Sequence, residues 1–129
     1  MLVDSPSLLI ADDDAGFRET LRDVLAPRGY RTLLASDGDE ALRIVRSETV
    51  HLMLLDFHMP HCTGLQLART VRESQIAIPW ILLSAGLDDT IVREARAADV
   101  FYVLAKPFRK AQLTTLVADA LRDRYDWAV

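Results

Sequence analysis

The chain has 129 residues, the size of one domain, and 50% of them are hydrophobic while 26% are charged, as in ordinary globular proteins. The 15 basic and 19 acidic residues give a net charge of −4, which argues against a nucleic-acid-binding module because such a module needs a basic face. No apolar run approaches the roughly 20 residues of a membrane helix, and the start MLVDSPSLLIADDD lacks the basic segment of a signal peptide.

The lone cysteine and the chain length define the expected organisation. Cys62 has no second cysteine to pair with, which excludes an internal disulfide and favours a reducing, cytoplasmic location. We expect a single domain over residues 1–129, with its core at about 7–124 and a tail at 125–129. The end Arg122–Val129 is typical of a helix terminus that frays, although Tyr125 and Trp127 could anchor it to the body or to a partner.

Five short apolar runs along the chain predict five β-strands. These runs are Ser7–Ala11, Arg31–Ala35, Val50–Leu55, Ile78–Leu83 and Val100–Ala105. Runs of this length that are apolar on both faces are typical of parallel strands covered by helices on both sides.

Apolar residues at helical spacing follow each run and predict five amphipathic helices. The first helix should end at Pro27-Arg28-Gly29. The expected buried faces are Phe17, Leu21, Val24 and Leu25; Ala41, Ile44 and Val45; Leu65, Ala68 and Val71; Ile91, Ala95 and Ala98; and Leu113, Leu116, Val117, Ala120 and Leu121. Strict alternation of strands and helices indicates right-handed βαβ units in a three-layer α/β sandwich.

Charged and hydroxyl side chains follow the predicted strands where each strand ends. Asp12–Asp14 follow the first strand, Asp56 the third, Ser84 the fourth and Lys106 the fifth. Because functional groups of open α/β sheets gather at the carboxyl ends of the strands, we expect these side chains to share one rim. Converging carboxylates repel one another and need a cation, and their hard oxygen ligands suit Mg²⁺. A divalent cation and an ammonium beside one carboxylate form a site for a phosphoryl group, with the aspartate as nucleophile.

Four motifs occur in order at the ends of the first, third, fourth and fifth strands. They are Asp12-Asp13, DFHMPHCTG from Asp56 to Gly64, Ser84-Ala85 and Lys106-Pro107-Phe108. In this combination the chain resembles, over about residues 7–124, the receiver domain of two-component response regulators, and looks like a single-domain regulator of the chemotaxis type. The resemblance implies a flavodoxin-like, doubly wound fold whose five parallel strands have the order 2-1-3-4-5.

The resemblance also implies a role for each acidic position of the motifs. Asp56 would be the phosphoacceptor of a signalling protein rather than the catalytic residue of a metabolic enzyme. Asp13 and Asp56 would bind Mg²⁺ directly and Asp12 mainly through water. The backbone carbonyl of His58 would complete the protein ligands.

The remaining roles concern the phosphoryl group and the partners. Ser84 would hydrogen-bond one phosphoryl oxygen, Lys106 would pair with another, and Pro107 would follow a cis peptide bond. The phosphoryl donor would be a sensor histidine kinase, a phosphotransfer protein or a small acyl phosphate. Phosphorylation would reshape the surface of helix 4, strand 5 and helix 5 for an unknown downstream protein or a homodimer, without contacts to nucleic acid or membrane.

Two positions depart from the family pattern. Val103 stands three residues before Lys106, where the family usually has an aromatic residue that turns inward on phosphorylation. Tyr102 should face the opposite side of the strand, and Phe101 should share the face of Val103. Asp99, with Val100 after it, replaces the usual Gly-Ala, so that loop is expected to differ.

Two positions flank the expected phosphoryl group and tune its lifetime in this family. His58 lies two residues after the acceptor, and Gly86, which has no side chain to exclude water, lies two residues after Ser84. We hypothesise that His58 sets the lifetime of the acyl phosphate.

Four other functions remain as alternatives. A constitutive interaction module that ignores phosphorylation is favoured by Val103. A hydrolase could use His58 as acid or base, but the short chain has no substrate cap. A nucleotide- or flavin-binding domain would need a Gly-rich or hydroxyl-rich phosphate loop after the first strand. Zinc binding by His58, His61 and Cys62 together with Asp56 matches no strong zinc signature.

Overall fold

The computed structural model describes residues 5–127, which form five strands and five α-helices in alternation. The strands are β1 Ser7–Ala11, β2 Arg31–Ala35, β3 Leu52–Asp56, β4 Trp80–Ser84 and β5 Tyr102–Ala105. The helices are α1 Ala15–Leu25, α2 Gly38–Ser47, α3 Gly64–Glu73, α4 Asp89–Ala97 and α5 Lys110–Tyr125, and a short 3₁₀ helix at Ala26–Arg28 follows α1.

All four strand pairs are parallel, and the sheet order is β2-β1-β3-β4-β5, which confirms the predicted topology. The first two strands have the predicted bounds, whereas β3, β4 and β5 each begin two residues later than predicted. Buried or half-buried side chains such as Val50 and Ile78 lie in the connections that enter the sheet. An apolar run therefore predicts which residues are buried, whereas the strand itself begins only where backbone pairing with a neighbouring strand begins.

Two apolar clusters lie on opposite faces of the sheet. One packs β-strand side chains such as Leu55 against α2, α3 and α4, and the other packs side chains such as Leu54 against α1 and α5. The central strands β1, β3 and β4 are buried throughout. This two-sided burial confirms the predicted three-layer sandwich and leaves the carboxyl edge of the sheet as the place for polar groups.

Short polar side chains begin the helices at this edge. Asp14, Asp37, Thr63 and Asp88 each accept a hydrogen bond from a backbone N–H of the following helix. Such caps satisfy donors that a helix leaves unpaired in its first turn. At the opposite edge Gly29 has φ 96°, a left-handed conformation that favours glycine, and it ends the helical segment after α1 as predicted.

The end of the chain packs on the body through Trp127, which is the anchoring alternative that the sequence left open. Helix α5 continues to Tyr125, whose hydroxyl donates a hydrogen bond of 2.7 Å to the carbonyl of His51. Trp127 is buried, and its ring centroid lies 5.2 Å from that of Tyr30. Both aromatic residues thus anchor the terminus to the body, while residues 128–129 lie outside the described range.

The loop before β5 contains the second departure from the family pattern. Asp99 adopts φ 59°, the left-handed conformation that a glycine would take easily. Its carboxylate lies 3.3 Å from the guanidinium of Arg72. The loop thus reaches β5 with an aspartate in a glycine-type turn.

None of the helices described between residues 5 and 127 is long and apolar enough to cross a membrane.

Candidate functional site

The carboxyl edge of the sheet brings the predicted acidic residues together. Asp12 and Asp13 follow β1, and Asp56 is the last residue of β3. One carboxylate oxygen from each of the three lies within 4.8 Å of the others. Because β1 and β3 are neighbours in the sheet, their ends place these side chains at one point.

Asp12 is the buried centre of this group. It is 1% exposed, and its carboxylate accepts hydrogen bonds of 2.9 Å from the backbone N–H of Asp14 and from Nζ of Lys106. The guanidinium of Arg18 donates a hydrogen bond of 2.6 Å to the backbone carbonyl of Asp12. Asp13, in contrast, is exposed and free to reach a ligand from solvent.

Lys106 connects the two buried carboxylates. Its Nζ lies 2.9 Å from Oδ2 of Asp12 and 3.1 Å from Oδ1 of Asp56. The side chain of Lys106 is 20% exposed and that of Asp56 only 8%. The peptide bond between Lys106 and Pro107 is cis, as expected.

Burial and mutual repulsion dominate the electrostatics of the Asp56 carboxyl. Desolvation, followed by the charge of Asp12, raises the pKa of Asp56 above its ordinary value, and the hydrogen bond from Lys106 offsets only part of this rise. Burial would lower the pKa of Lys106, but the hydrogen bonds and charges of Asp12 and Asp56 outweigh it and raise that pKa.

The donor set fits a hard divalent cation. Three carboxylates face one ammonium, and burial together with the charges of Asp12 and Asp13 raises the pKa of Asp56. All three carboxylates offer oxygen donors, and one of them is exposed to solvent, so retained water ligands have room. This combination is the one that Mg²⁺ prefers in proteins.

Ser84 and Gly86 lie at the end of β4, next to the end of β3 on the same edge of the sheet. Ser84 ends β4 and is fully buried, and its hydroxyl accepts a hydrogen bond of 3.2 Å from the N–H of Gly86. The backbone N–H of Lys106 donates 2.9 Å to the carbonyl of Ser84, which ties the ends of β4 and β5 together. His58 is exposed, and its Nε2 would lie 3.8 Å from a Cβ added at Gly86.

Gly64 allows the loop after β3 to approach the site closely. A Cβ at this position would overlap the backbone carbonyl oxygen of Asp56 and lie 3.1 Å from its carbonyl carbon. The N–H of Gly64 donates 3.0 Å to the carbonyl of Phe57. The start of α3 is therefore packed directly against the residue that ends β3.

The zinc alternative has no support in the geometry. Within residues 5–127 the aspartate group is the single set of three or more acidic, histidine or cysteine side chains close enough to share a metal. Cys62 is half-buried against Gly38, where an added Cβ would lie 2.9 Å from its Sγ. Its role is consistent with packing between α2 and the loop before α3.

The strand before Lys106 differs in part from the expected arrangement. Val103 packs on the cluster beneath α2, α3 and α4, whereas Phe101 packs on the cluster beneath α1 and α5. The prediction that these two residues share a face is wrong, because Phe101 precedes β5 and does not follow its alternation. Tyr102 is 49% exposed and lies beside Leu104 and Leu116 of the cluster beneath α1 and α5, on the face of the sheet opposite to Val103.

Two residues at the site were not predicted. Phe17, expected only as a helix-face residue, has its ring centroid 4.0 Å from Nζ of Lys106. Arg18, the next residue, holds the backbone of Asp12. Both lie in the first turns of α1. In the sequence, their position shortly after Asp12–Asp14 was the only sign that they lie at the site.

Comparison with known proteins agrees with this geometry. The family model described as "Response regulator receiver domain" matches residues 8–118. The DNA-binding response regulator MtrA of Mycobacterium tuberculosis is 33% identical over 121 residues, which cover 92% of this chain and 52% of that protein. The response regulator MprA of Mycobacterium ulcerans is 33% identical over 120 residues, covering 92% of this chain and 51% of that protein. The chain thus spans about half the length of these curated relatives.

Solved structures show the same fold. The chemotaxis protein CheY4 of Vibrio cholerae superposes with a TM-score of 0.85 at 27% identity, over 91% of this chain and 99% of that one. The response regulator TrrA of Thermotoga maritima, in complex with Mg(2+)-BeF, superposes with a TM-score of 0.81 at 29% identity, over 90% of this chain and 99% of that one. With its parallel sheet, its acidic edge and this family match, the chain belongs to the receiver domains of two-component response regulators.

Proposed function

We propose that this receiver domain accepts a phosphoryl group on Asp56 in a Mg²⁺-dependent reaction and that this modification controls partner binding. The observation that carries the proposal is the position of Lys106, whose ammonium lies between Asp12 and Asp56 at 2.9 and 3.1 Å. A fixed positive charge beside a buried carboxylate is suited to neutralise a phosphoryl oxygen on that carboxylate.

In the proposed step a carboxylate oxygen of Asp56 attacks the phosphorus of the donor. The bond from phosphorus to the donor's imidazole nitrogen or carboxylate oxygen breaks, and the donor leaves with that electron pair. Lys106 would hold one phosphoryl oxygen, and Ser84, at the adjacent strand end, would donate its hydroxyl hydrogen to another. Water later hydrolyses the acyl phosphate and restores the carboxylate.

The acidic cluster would hold the cation. Asp13 and Asp56 would bind Mg²⁺ directly, Asp12 through water, and the backbone carbonyl of His58 would complete the set. When bound, Mg²⁺ would neutralise charge that develops on the phosphoryl oxygens. The Mg(2+)-BeF complex of TrrA supports testing this chain with the same reagents.

The responding surface is proposed to comprise α4, β5 and α5. Tyr102 on β5 is 49% exposed and lies beside Leu104, Gln112 and Leu116, which line a shallow groove with it. A histidine kinase or phosphotransfer protein would supply the phosphoryl group in the cytoplasm, and a downstream protein or a second copy would bind the phosphorylated surface. With a net charge of −4, these residues are not expected to bind nucleic acid themselves.

Intact-mass spectrometry after incubation with acetyl phosphate and Mg²⁺ tests the acceptor. The wild type should gain one phosphoryl group, and Asp56→Ala should gain none. Asp14→Asn is the matched control, because Asp14 is an exposed aspartate beside the cluster that caps α1 and is outside the metal group. Phosphorylation that persists in Asp56→Ala would contradict the assignment of the acceptor.

A second measurement tests the switch. The oligomeric state and amide NMR spectrum are compared with and without Mg²⁺ and beryllium fluoride. The proposal expects changes on α4, β5 and α5, whereas binding at the site without any change on that surface would favour the constitutive interaction module.

A further inference from the structure

The ammonium of Lys106 has a third neighbour in addition to its two carboxylates. The ring centroid of Phe17 lies 4.0 Å from Nζ, within the range of a cation–π contact. The face of a phenyl ring carries partial negative charge and attracts a cation without accepting its hydrogen bonds. The ring therefore attracts the ammonium without taking its protons away from the oxygen atoms of the site.

The orientation of the Phe17 ring is set from two directions. Its backbone N–H donates a hydrogen bond of 3.1 Å to Oδ1 of Asp14, which fixes the residue in the first turn of α1. Its ring contacts Phe108 edge to face, with centroids 5.9 Å apart and an interplanar angle of 78°. Phe108 follows Lys106 and Pro107. Residues 106–108 therefore supply both the ammonium and the ring that supports Phe17.

From this geometry we infer that Phe17 is a positioning residue for Lys106, holding the ammonium beside Asp56 for phosphoryl transfer; the inference rests on the proposed function. A lysine side chain is long and flexible, and that of Lys106 is 20% exposed, so water competes for its head group. During the reaction the ammonium must exchange an oxygen of Asp56 for a phosphoryl oxygen. A ring face permits this small movement, because its attraction needs no fixed hydrogen-bond direction.

Fluorination of single rings tests the electrostatic part of this role. Phenylalanine with one, two or three ring fluorines is incorporated at position 17, which weakens the attraction of the ring face while nearly preserving shape. The rate constant of phosphorylation by acetyl phosphate, at saturating Mg²⁺, should fall stepwise by about fivefold in total. The same series at Phe101 is the matched control, because this ring packs on the cluster of α1 and α5 near the opposite edge of the sheet and the described part of the chain places no charged nitrogen over it. Its rates should stay level.

A second readout does not depend on phosphorylation. The order of the Lys106 ε-methylene group, measured by ¹³C relaxation in the unphosphorylated protein, should decrease along the Phe17 series and stay constant along the Phe101 series. If the wild type takes up no phosphoryl group, the proposed function fails. If, in addition, the order of the Lys106 ε-methylene group is the same throughout the Phe17 series, the positioning role is overturned as well. If the wild type is phosphorylated but the Phe17 series leaves its rate unchanged, the positioning role alone is overturned. A rate lost in Phe17→Leu but unchanged by fluorination would likewise overturn it, since packing would then explain the loss.

Discussion

Nζ of Lys106 lies 2.9 Å from Oδ2 of Asp12, and this contact joins the end of β5 to the end of β1 across β3 and β4. The carboxylate of Asp12 is almost completely buried, so its charge depends on the ammonium and on one backbone N–H for compensation. The contact to which we assign a role in phosphoryl transfer therefore also neutralises a charge inside the fold.

Removal of this ammonium should destabilise the protein when no divalent cation is present. Lys106→Met keeps the length of the side chain but leaves two buried carboxylates facing each other, which we expect to cost about 2 kcal/mol in EDTA. Added Mg²⁺ should recover part of the loss by binding between the same carboxylates. Urea denaturation monitored by circular dichroism measures both effects.

Lys110→Met is the control for this substitution, because Lys110 is an exposed lysine at the start of α5. It should change the free energy of unfolding by less than about 0.5 kcal/mol. Equal stability of the two variants in EDTA would show that Asp12 and Asp56 tolerate the loss of their common partner.

The raised pKa of Asp56 predicts a pH dependence of stability in EDTA. The folded state binds a proton at this carboxyl more readily than the unfolded state, so the ionised form destabilises the fold above the folded-state pKa. This penalty should disappear as the pH falls through the folded-state pKa towards the lower, unfolded value. Asp56→Asn should therefore be more stable than the wild type at neutral pH, with a difference that shrinks on acidification.

This difference is measured by urea denaturation of the wild type and Asp56→Asn at several pH values between 4 and 7. Asp14→Asn, which removes an exposed carboxylate next to the cluster, should show no comparable trend. A difference between wild type and Asp56→Asn that grows towards acidic pH would refute the prediction.

Gly64 should resist any larger side chain. The Cβ of Gly64→Ala would overlap the backbone carbonyl of Asp56, and backbone atoms cannot move aside as a flexible side chain can. We expect a loss of about 2 kcal/mol in the free energy of unfolding. Gly86→Ala is the control, because the nearest atom to its added Cβ is Nε2 of His58 at 3.8 Å. Similar stabilities of the two variants in thermal denaturation would argue against the close approach.

The site was more predictable from the sequence than its surroundings were. Alternating apolar runs and helical faces indicate where strands end, and parallel strands place their ends on one edge, so the meeting of Asp12, Asp13 and Asp56 follows from local patterns. The cation–π contact of Phe17 was missed because the helical spacing of Phe17 is equally typical of an ordinary core residue.

The remaining errors have a common physical cause. Phe101 was placed on the face of Val103 by strand alternation, but pairing with β4 begins only at Tyr102, so the alternation does not extend to it. Similarly, the sequence did not decide between a fraying and an anchored chain end, because the contact of Trp127 with Tyr30 joins distant segments. Such long-range contacts have no local signature in the chain.

His58 should prolong the lifetime of the acyl phosphate. Its imidazole lies beside Gly86, which offers no side chain of its own to exclude water from this side of the site. His58→Ala should therefore increase the rate constant of dephosphorylation by about threefold, a change of less than 1 kcal/mol in activation free energy. Loss of the phosphorylated mass with time after removal of the donor gives the rate, and an unchanged rate would contradict the hypothesis.

Tyr125 should stabilise the end of α5 through its hydroxyl group. The hydroxyl donates to the backbone carbonyl of His51 at 2.7 Å, and the two rings meet edge to face at 5.3 Å. Tyr125→Phe keeps the ring but removes the donor, so the carbonyl loses its partner in a half-buried place. We expect the free energy of unfolding to fall by about 1 kcal/mol, measured by urea denaturation.

Tyr102→Phe provides the comparison, because Tyr102 is 49% exposed and its hydroxyl can exchange any partner for water. Its stability should remain close to that of the wild type. If Tyr125→Phe were as stable as Tyr102→Phe, the hydrogen bond to His51 would contribute nothing net, and packing of the Tyr125 and Trp127 rings alone would hold the chain end on the body.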